Sequence, residues 1–207
     1  MTRFHFAHHT LAGAALILSL TLPSQRAHAA GAVLQLDSAR VTLSGASNVH
    51  PYEASTRTVT VTRLQVSPAT ADESPEALTA PGAIEAFAIV IPAATLTSPR
   101  EGLDKNMHKA LKVQQHADIT FSLSRLEAAA APNAFRGIGT LTIAGVAREV
   151  ALDLTIQKAG ATLTVKGTLP LLMTDYGITP PKAMLGMLKT DPKVTITFET
   201  VFSVPTT

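Results

Sequence analysis

The stretch "GTLTIAGVAREVALDLTI", Gly139 to Ile156, decides the fold class. Leu141 and Ile143 alternate with polar neighbours before a break, and Val150, Leu152, Leu154 and Ile156 alternate after it. Side chains on a strand point to opposite faces with period two, so each half carries one apolar and one polar face. The break, Ala144-Gly145-Val146-Ala147, has the length of a hairpin loop, and Gly supplies the positive φ that such loops use. No catalytic arrangement of Ser, His or paired carboxylates lies in this segment. The apolar face therefore has to be explained by what it covers.

The same alternation recurs on both sides. Segment 40–49 places Val41 and Leu43 on one face. Segment 56–66 shows Val59 and Val61, then Leu64 and Val66, a one-residue shift of the kind a β-bulge makes. Segment 83–92 is more apolar throughout, and 117–126 alternates through Ile119, Phe121 and Leu123. The opening hairpin is 135–143 and 148–157, followed by 161–172 with Leu163 and Val165. The last is 193–204, with Val194, Ile196, Phe198 and Val201. These eight candidate strands have Thr-rich polar faces, and Thr and Val both favour strands. Residues 102–112 place Leu103, Met107 and Leu111 at helical spacing. Residues 180–190 open with two prolines and read as one or two helical turns, while 67–82 and 127–134 read as loops. Eight short antiparallel strands predict an all-β fold, an eight-stranded barrel with one or two short helices. A barrel of that size either fills with side chains or holds one small ligand. The chain has no Trp, seven Phe and two Tyr, so large fillers are scarce.

The first 29 residues are expected to be a cleaved secretory signal. Arg3 precedes an apolar run from Leu11 to Leu22, and small residues at Ala27-His28-Ala29 suit a peptidase. Residues 30–207 are then one domain. The run is shorter than the roughly 20 residues a spanning helix needs, and no later run is long enough to span. The mature chain is expected to be exported. Of 17 Lys and Arg, Arg3 and Arg26 leave with the signal and no acid does, so 15 bases face 15 acids. A near-neutral chain with no basic run gives no reason to expect nucleic acid. There is no Cys, so thiol catalysis and thiolate metal sites are excluded.

Several segments together resemble a known family. "GIGTLTIAGVAREVALDLTI" is similar to the G-x-L-T-I-x-G-x-T-R-x-V-x-L segment of the YceI-like proteins, with Ala147 where Thr is usual. "IPAATLTSPREGLDKNMHKALKVQQHADITFSL" resembles their central block of strand, short helix and strand, with Ala117 in place of Pro. "DYGITPP" and "DPKVTITFETVF" resemble the closing strands and the loop between them. The resemblance runs from about Leu34 to Val204. Its opening, "LQLDSARVTLSGASNVHPYEAS", departs from the common Tyr/Ile-Asp-x-x-His-Ser entry and marks a divergent branch. The resemblance implies a lipocalin-like periplasmic barrel with a long apolar lumen, and in some members an isoprenoid or quinone-like lipid. The function expected is a carrier that sequesters such an apolar ligand, the alternative being a filled barrel acting as a stress or interaction protein. No cofactor and no enzymatic activity are expected. Monomer and homodimer both stay open.

Candidate ligand-binding residues are His50, Tyr52, Asn106, Met107, His108, Met184 and Leu185. His50 and Tyr52, in "SNVHPYE", sit at a strand end, where a polar head would meet a barrel mouth. Asn106 and His108 on the short helix offer polar groups near such a head. Met107 lies on the same helix; Met173, Met184 and Met187 cluster around one loop and are soft enough to adapt to a flexible chain, and Leu185 with Leu188 forms a candidate lid. The bland readings are a His bonded to loop backbone, a solvated helix face and core packing. His50, His108 and His116 lack the spacing of a metal site. Ser44 and Ser47 are not in a G-x-S-x-G elbow, and Asp175-Tyr176 reads as a loop anchor.

Overall fold

The computed structural model describes residues 34–67, 77–80, 82–183 and 187–203; the expected signal stretch, Met184 and Leu185 lie outside them. The strands are β1 (Gln35–Ser47), β2 (Pro51–Thr56), β3 (Thr60–Val66), β4 (Ile84–Pro92), β5 (Asp118–Ala128), β6 (Ala134–Ile143), β7 (Val146–Ala159), β8 (Thr162–Leu172), β9 (Lys182–Ala183) and β10 (Leu188–Ser203). One helix, α1 (Glu101–Ala110), stands between β4 and β5.

The opening hairpin is β6–β7, and its loop is shorter than the sequence suggests. Only Ala144 and Gly145 are unpaired, since Ile143 already faces Val146. Both have positive φ, 50° and 80°, the pattern of a two-residue turn whose twist matches the strands. A side chain at Gly145 would run into the ring of His116. Glycine is therefore needed there both for conformation and for space.

From this hairpin the sheet extends in both directions in the order β2-β1-β10-β8-β7-β6-β5-β4-β3, with β9 pairing the start of β10. Every pairing is antiparallel, and the nine strands of this path, one more than the eight the sequence predicts, curl into a half-barrel whose edge strands β2 and β3 do not pair. Its two outer strands, β2 and β3, are consecutive in the chain and separated only by residues 57–59. The bend between them is fixed by hydroxyls. Thr95 Oγ1 donates to the Pro92 carbonyl at 2.7 Å, so the 2.7 Å contact between Thr56 and Thr95 is donated by Thr56. Thr56 Oγ1 in turn accepts from the Thr58 amide at 3.0 Å. Beside this chain, Ser55 and Thr97 exchange backbone hydrogen bonds of 2.8 and 3.1 Å. The edge of β2 is thus covered rather than left as a template for another chain.

Three details differ from the sequence reading or refine it. The register shift between Val61 and Arg63 is the bulge that the spacing of Val59, Val61 and Leu64 implies. β2 was not separated from its neighbours by sequence. It is six residues long, begins with Pro, and its inward face holds Tyr52, Ala54 and the polar Thr56. The helical turns expected over 180–190 are a correction. The described part is extended, with Ala183 paired to Leu188 and Lys182 to Lys189. Pro180 and Pro181 explain this, because proline donates no backbone hydrogen bond and biases its predecessor to extended backbone.

The apolar faces point inward. Cross-strand partners Val41 and Phe198, Leu43 and Ile196, and Ile196 and Leu169 lie on the interior side. The Phe198 ring lies over its partner Gly167, where a Cβ would clash with it. At one end α1 covers the barrel with Met107 and, just past its end, Leu111, both buried. At the other end Leu78, from the short turn Ala77–Thr79, is 3 % exposed and packs with Leu163 and Phe202.

Candidate functional site

The interior is not filled. Two chambers lie end to end along the strands and share Ile196 in their walls. The lower chamber, toward Leu78, has a volume of about 200 Å³, and its lining is apolar except for Thr79 and Thr200. The upper chamber, toward α1, has a volume of about 250 Å³. Inward residues of β10 run from Val194 in the upper chamber to Phe202 in the lower one. Eight strand steps of about 3.4 Å make that path about 27 Å long. A cavity with so few polar groups gives water too few partners, whereas an aliphatic chain loses nothing by entering it.

The upper chamber differs at its rim, where Ser47, His50, Tyr52, Arg100, Asn106, Lys182 and Thr190 contribute to the wall. His50 is held by the β1–β2 turn. Its amide donates to Ser47 Oγ at 3.1 Å, and its carbonyl accepts from the Ser47 amide at 3.0 Å. Its Nε2 is 2.9 Å from an Arg100 guanidinium nitrogen, and its Nδ1 is 3.0 Å from the Pro51 carbonyl. Arginine only donates, so Nε2 accepts and the ring proton sits on Nδ1, donating to Pro51. Tyr52 lies on the inward face of β2 with its ring over Gly45. Burial raises its phenol above the usual tyrosine value, and the negative charge of Asp191 adds to the rise. The phenol is therefore a neutral O–H at ordinary pH.

Helix α1 sets the other side of the rim. Asp104 Oδ1 accepts from the Ser98 amide at 2.8 Å, tying the first turn to the preceding loop. Leu103, Asn106 and Met107 line the upper chamber. Acidic residues in the first turn and His108 and Lys109 in the last suit the helix dipole.

Of the sequence candidates, the structure brings His50, Tyr52, Asn106 and Met107 together around the upper chamber. His108 lines neither chamber; its Nε2 donates to the Leu96 carbonyl at 2.7 Å, securing the segment beneath the helix. Leu188, from the proposed lid, lines the upper chamber, and Met187 beside it is 67 % exposed. Asn48 holds this edge, donating to the Met187 carbonyl and accepting from the Lys189 amide, both at 2.8 Å. Tyr176 is 2 % exposed within the core, and Arg148 Nε donates to the Asp175 carbonyl at 2.9 Å, so this pair anchors a loop. Among the described residues no three His, Asp or Glu gather as a metal site, and no helix is long and apolar enough to cross a membrane.

Sequence reasoning missed Arg100 and Lys182. A signal for Arg100 was present. It occupies the N-cap of α1 without a capping side-chain bond, a position that favours Ser, Thr, Asp or Asn and a helix end that favours anions. A residue that breaks a local rule marks a site worth inspecting.

Comparison with known proteins agrees with this geometry. Among solved structures, BcnA of Burkholderia cenocepacia superposes with a TM-score of 0.62 at 19 % identity, covering 79 % of this chain and 95 % of that one. A polyisoprenoid-binding domain from Saccharophagus degradans, implicated in plant cell wall breakdown, gives 0.62 at 13 % identity, covering 84 % and 99 %. The YceI protein of Campylobacter jejuni gives 0.53 at 16 % identity, covering 70 % and 80 %. No curated protein matches the sequence. The fold is the lipocalin-type barrel these proteins share. The family model of the YceI-like domain matches residues 35–202, most of the chain, and the protein belongs to that family.

Proposed function

We propose that this protein is a non-enzymatic carrier that takes up one long apolar molecule, an isoprenoid or quinone-like lipid, in its lumen. The observation that carries the reading is the pair of end-to-end chambers, about 200 and 250 Å³, apolar below and polar only at the upper rim. Together they reach the range of small-molecule sites, about 300–1,000 Å³. Transfer of the chain from water supplies the affinity, at about 0.8 kcal/mol per buried methylene. The family and the polyisoprenoid-binding relative support the ligand class. The leader-like residues 1–29 support work in the periplasm, where a lipid between two membranes needs a soluble shelter. Among the described rim residues no nucleophile is paired with a base, so the reading needs no chemistry beyond binding and release.

The test is native mass spectrometry of the protein purified from its own cells, followed by organic extraction. A stoichiometric apolar adduct is expected. A bare mass that persists after incubation with geranylgeraniol and with a short-chain ubiquinone would overturn the carrier reading and favour a partner-binding protein.

A further inference from the structure

Among the described residues, the rim of the upper chamber carries cations and no anion. Arg100 and Lys182 both line it, and no described Asp or Glu does. Neither forms an ion pair among the described residues. Two acids on the elements that build the rim hydrogen-bond backbone amides instead of these cations. Asp104 accepts from the Ser98 amide, and Asp191 accepts from the Lys193 amide at 2.8 Å. Glu101, the other acid in the first turn of α1, is exposed and outside the lining.

Arg100 is also held in place from both ends. Its amide donates to Ser98 Oγ, and its carbonyl accepts from the same hydroxyl, each at 3.1 Å. Its guanidinium is fixed by His50 Nε2 at 2.9 Å. That contact uses a neutral acceptor and adds no counter-charge. A guanidinium fork with free N–H groups matches the two oxygens of a carboxylate or phosphate. It stands above a chamber whose deeper wall is apolar.

We propose that the molecule carried in this lumen ends in an oxyanion, a carboxylate or a phosphate monoester, bound at the rim by Arg100 and Lys182 while its chain occupies the chambers. The proposal rests on the carrier reading above and narrows it. It puts a neutral quinone or alcohol head at a disadvantage. His50 acts as a positioning residue for Arg100.

The test uses three probes with one chain, namely geranylgeranyl phosphate, geranylgeranoic acid and geranylgeraniol, each displacing Nile red from the folded protein at low salt. An oxyanion probe is expected to bind about tenfold or more tighter than the alcohol, the low end for hydrogen bonds to an exposed charge. Arg100→Gln and Lys182→Gln should each shrink that preference, and native circular dichroism shows that the variants fold. Tight phosphate with weak acid assigns the phosphate, and the reverse assigns the carboxylate. Equal affinity for all three probes would overturn the head-group proposal and leave the carrier reading standing. Failure of all three to displace the dye would overturn both.

Discussion

Ile196→Trp tests whether the two chambers act as one tunnel. Ile196 lies in the walls of both and sits where one gives way to the other, so an indole there fills the passage. A chain confined below it keeps the six strand steps from Ile196 to Phe202, about 20 Å of the roughly 27 Å available. An extended hydrocarbon advances about 1.3 Å per carbon, so the excluded length, roughly 7 Å, corresponds to about five methylenes. At about 0.8 kcal/mol each the loss is about 4 kcal/mol, or roughly three decades in Kd. The side chain faces open space, so the cost to folding should stay at or below the 1–3 kcal/mol of ordinary overpacking. Titration with geranylgeraniol should show the loss, while the shorter geraniol should bind as it does to the parent. The parent has no Trp, so the new indole is the sole one and its emission reports on ligand in the lumen. Undiminished affinity for the long alcohol in a variant with native circular dichroism would refute the tunnel.

Gly145→Ala should destabilise by about 1–3 kcal/mol, because a φ of 80° strains any side chain and the Cβ meets the His116 ring. In thermal melts that is a Tm lower by about 4–8 °C for about 2 kcal/mol. Thr56→Val should cost about 1–3 kcal/mol in urea unfolding, since Val removes the acceptor of the Thr58 amide and the donor to Thr95. Burial, with Asp191 beside Tyr52 and with Asp175 (partly offset by Arg148) beside Tyr176, raises both phenols in the folded state. The native protein then holds more protons than the unfolded one above about pH 10, so their contribution is complete below that pH and is lost as pH rises through the raised values. Urea midpoints should fall between pH 9 and 11, and Tyr52→Phe should flatten the decline.

The strands were legible wherever one face is buried and the other wet. Leu152, Leu154 and Ile156 alternate because β7 has lumen on one side and solvent on the other, and even the bulge in β3 shows as a skipped position. What failed lacked that contrast. Tyr52 and Ala54 are too short a pattern to announce β2, and Met187 and Leu188 mimic a helical stripe although two prolines had already set the backbone. At the site, His50, Tyr52, Asn106 and Met107 were visible as polar or soft residues near element ends. Arg100 and Lys182 were not, because their role comes from a mouth assembled by the β1–β2 turn, α1 and the β9–β10 hairpin, three pieces far apart in sequence. That the chambers are open rather than packed depends on the size of the cross-section at each level, which no alternation pattern encodes.

The seam between β1 and β10 has a consequence for how the chain reaches this state. Its paired residues are separated by 143 positions at Ser47 and Thr190 and by 168 at Gln35 and Ser203. The other main-sheet pairings join strands that are neighbours along the chain, except that β10 meets β8 across the short β9. Those hairpins can zip early, because closing a short loop costs little entropy. β10, which must dock between β1 and β8 at once, is the last strand of the sheet in chain order and the one that shuts the lumen. A chain interrupted before it would leave two long unpaired edges and an open apolar trough. The same adjacency brings the two ends of the domain side by side, so joining Gln35 to Ser203 through a short linker and opening the chain at Gly160 should give a permuted barrel whose final closure is a local step.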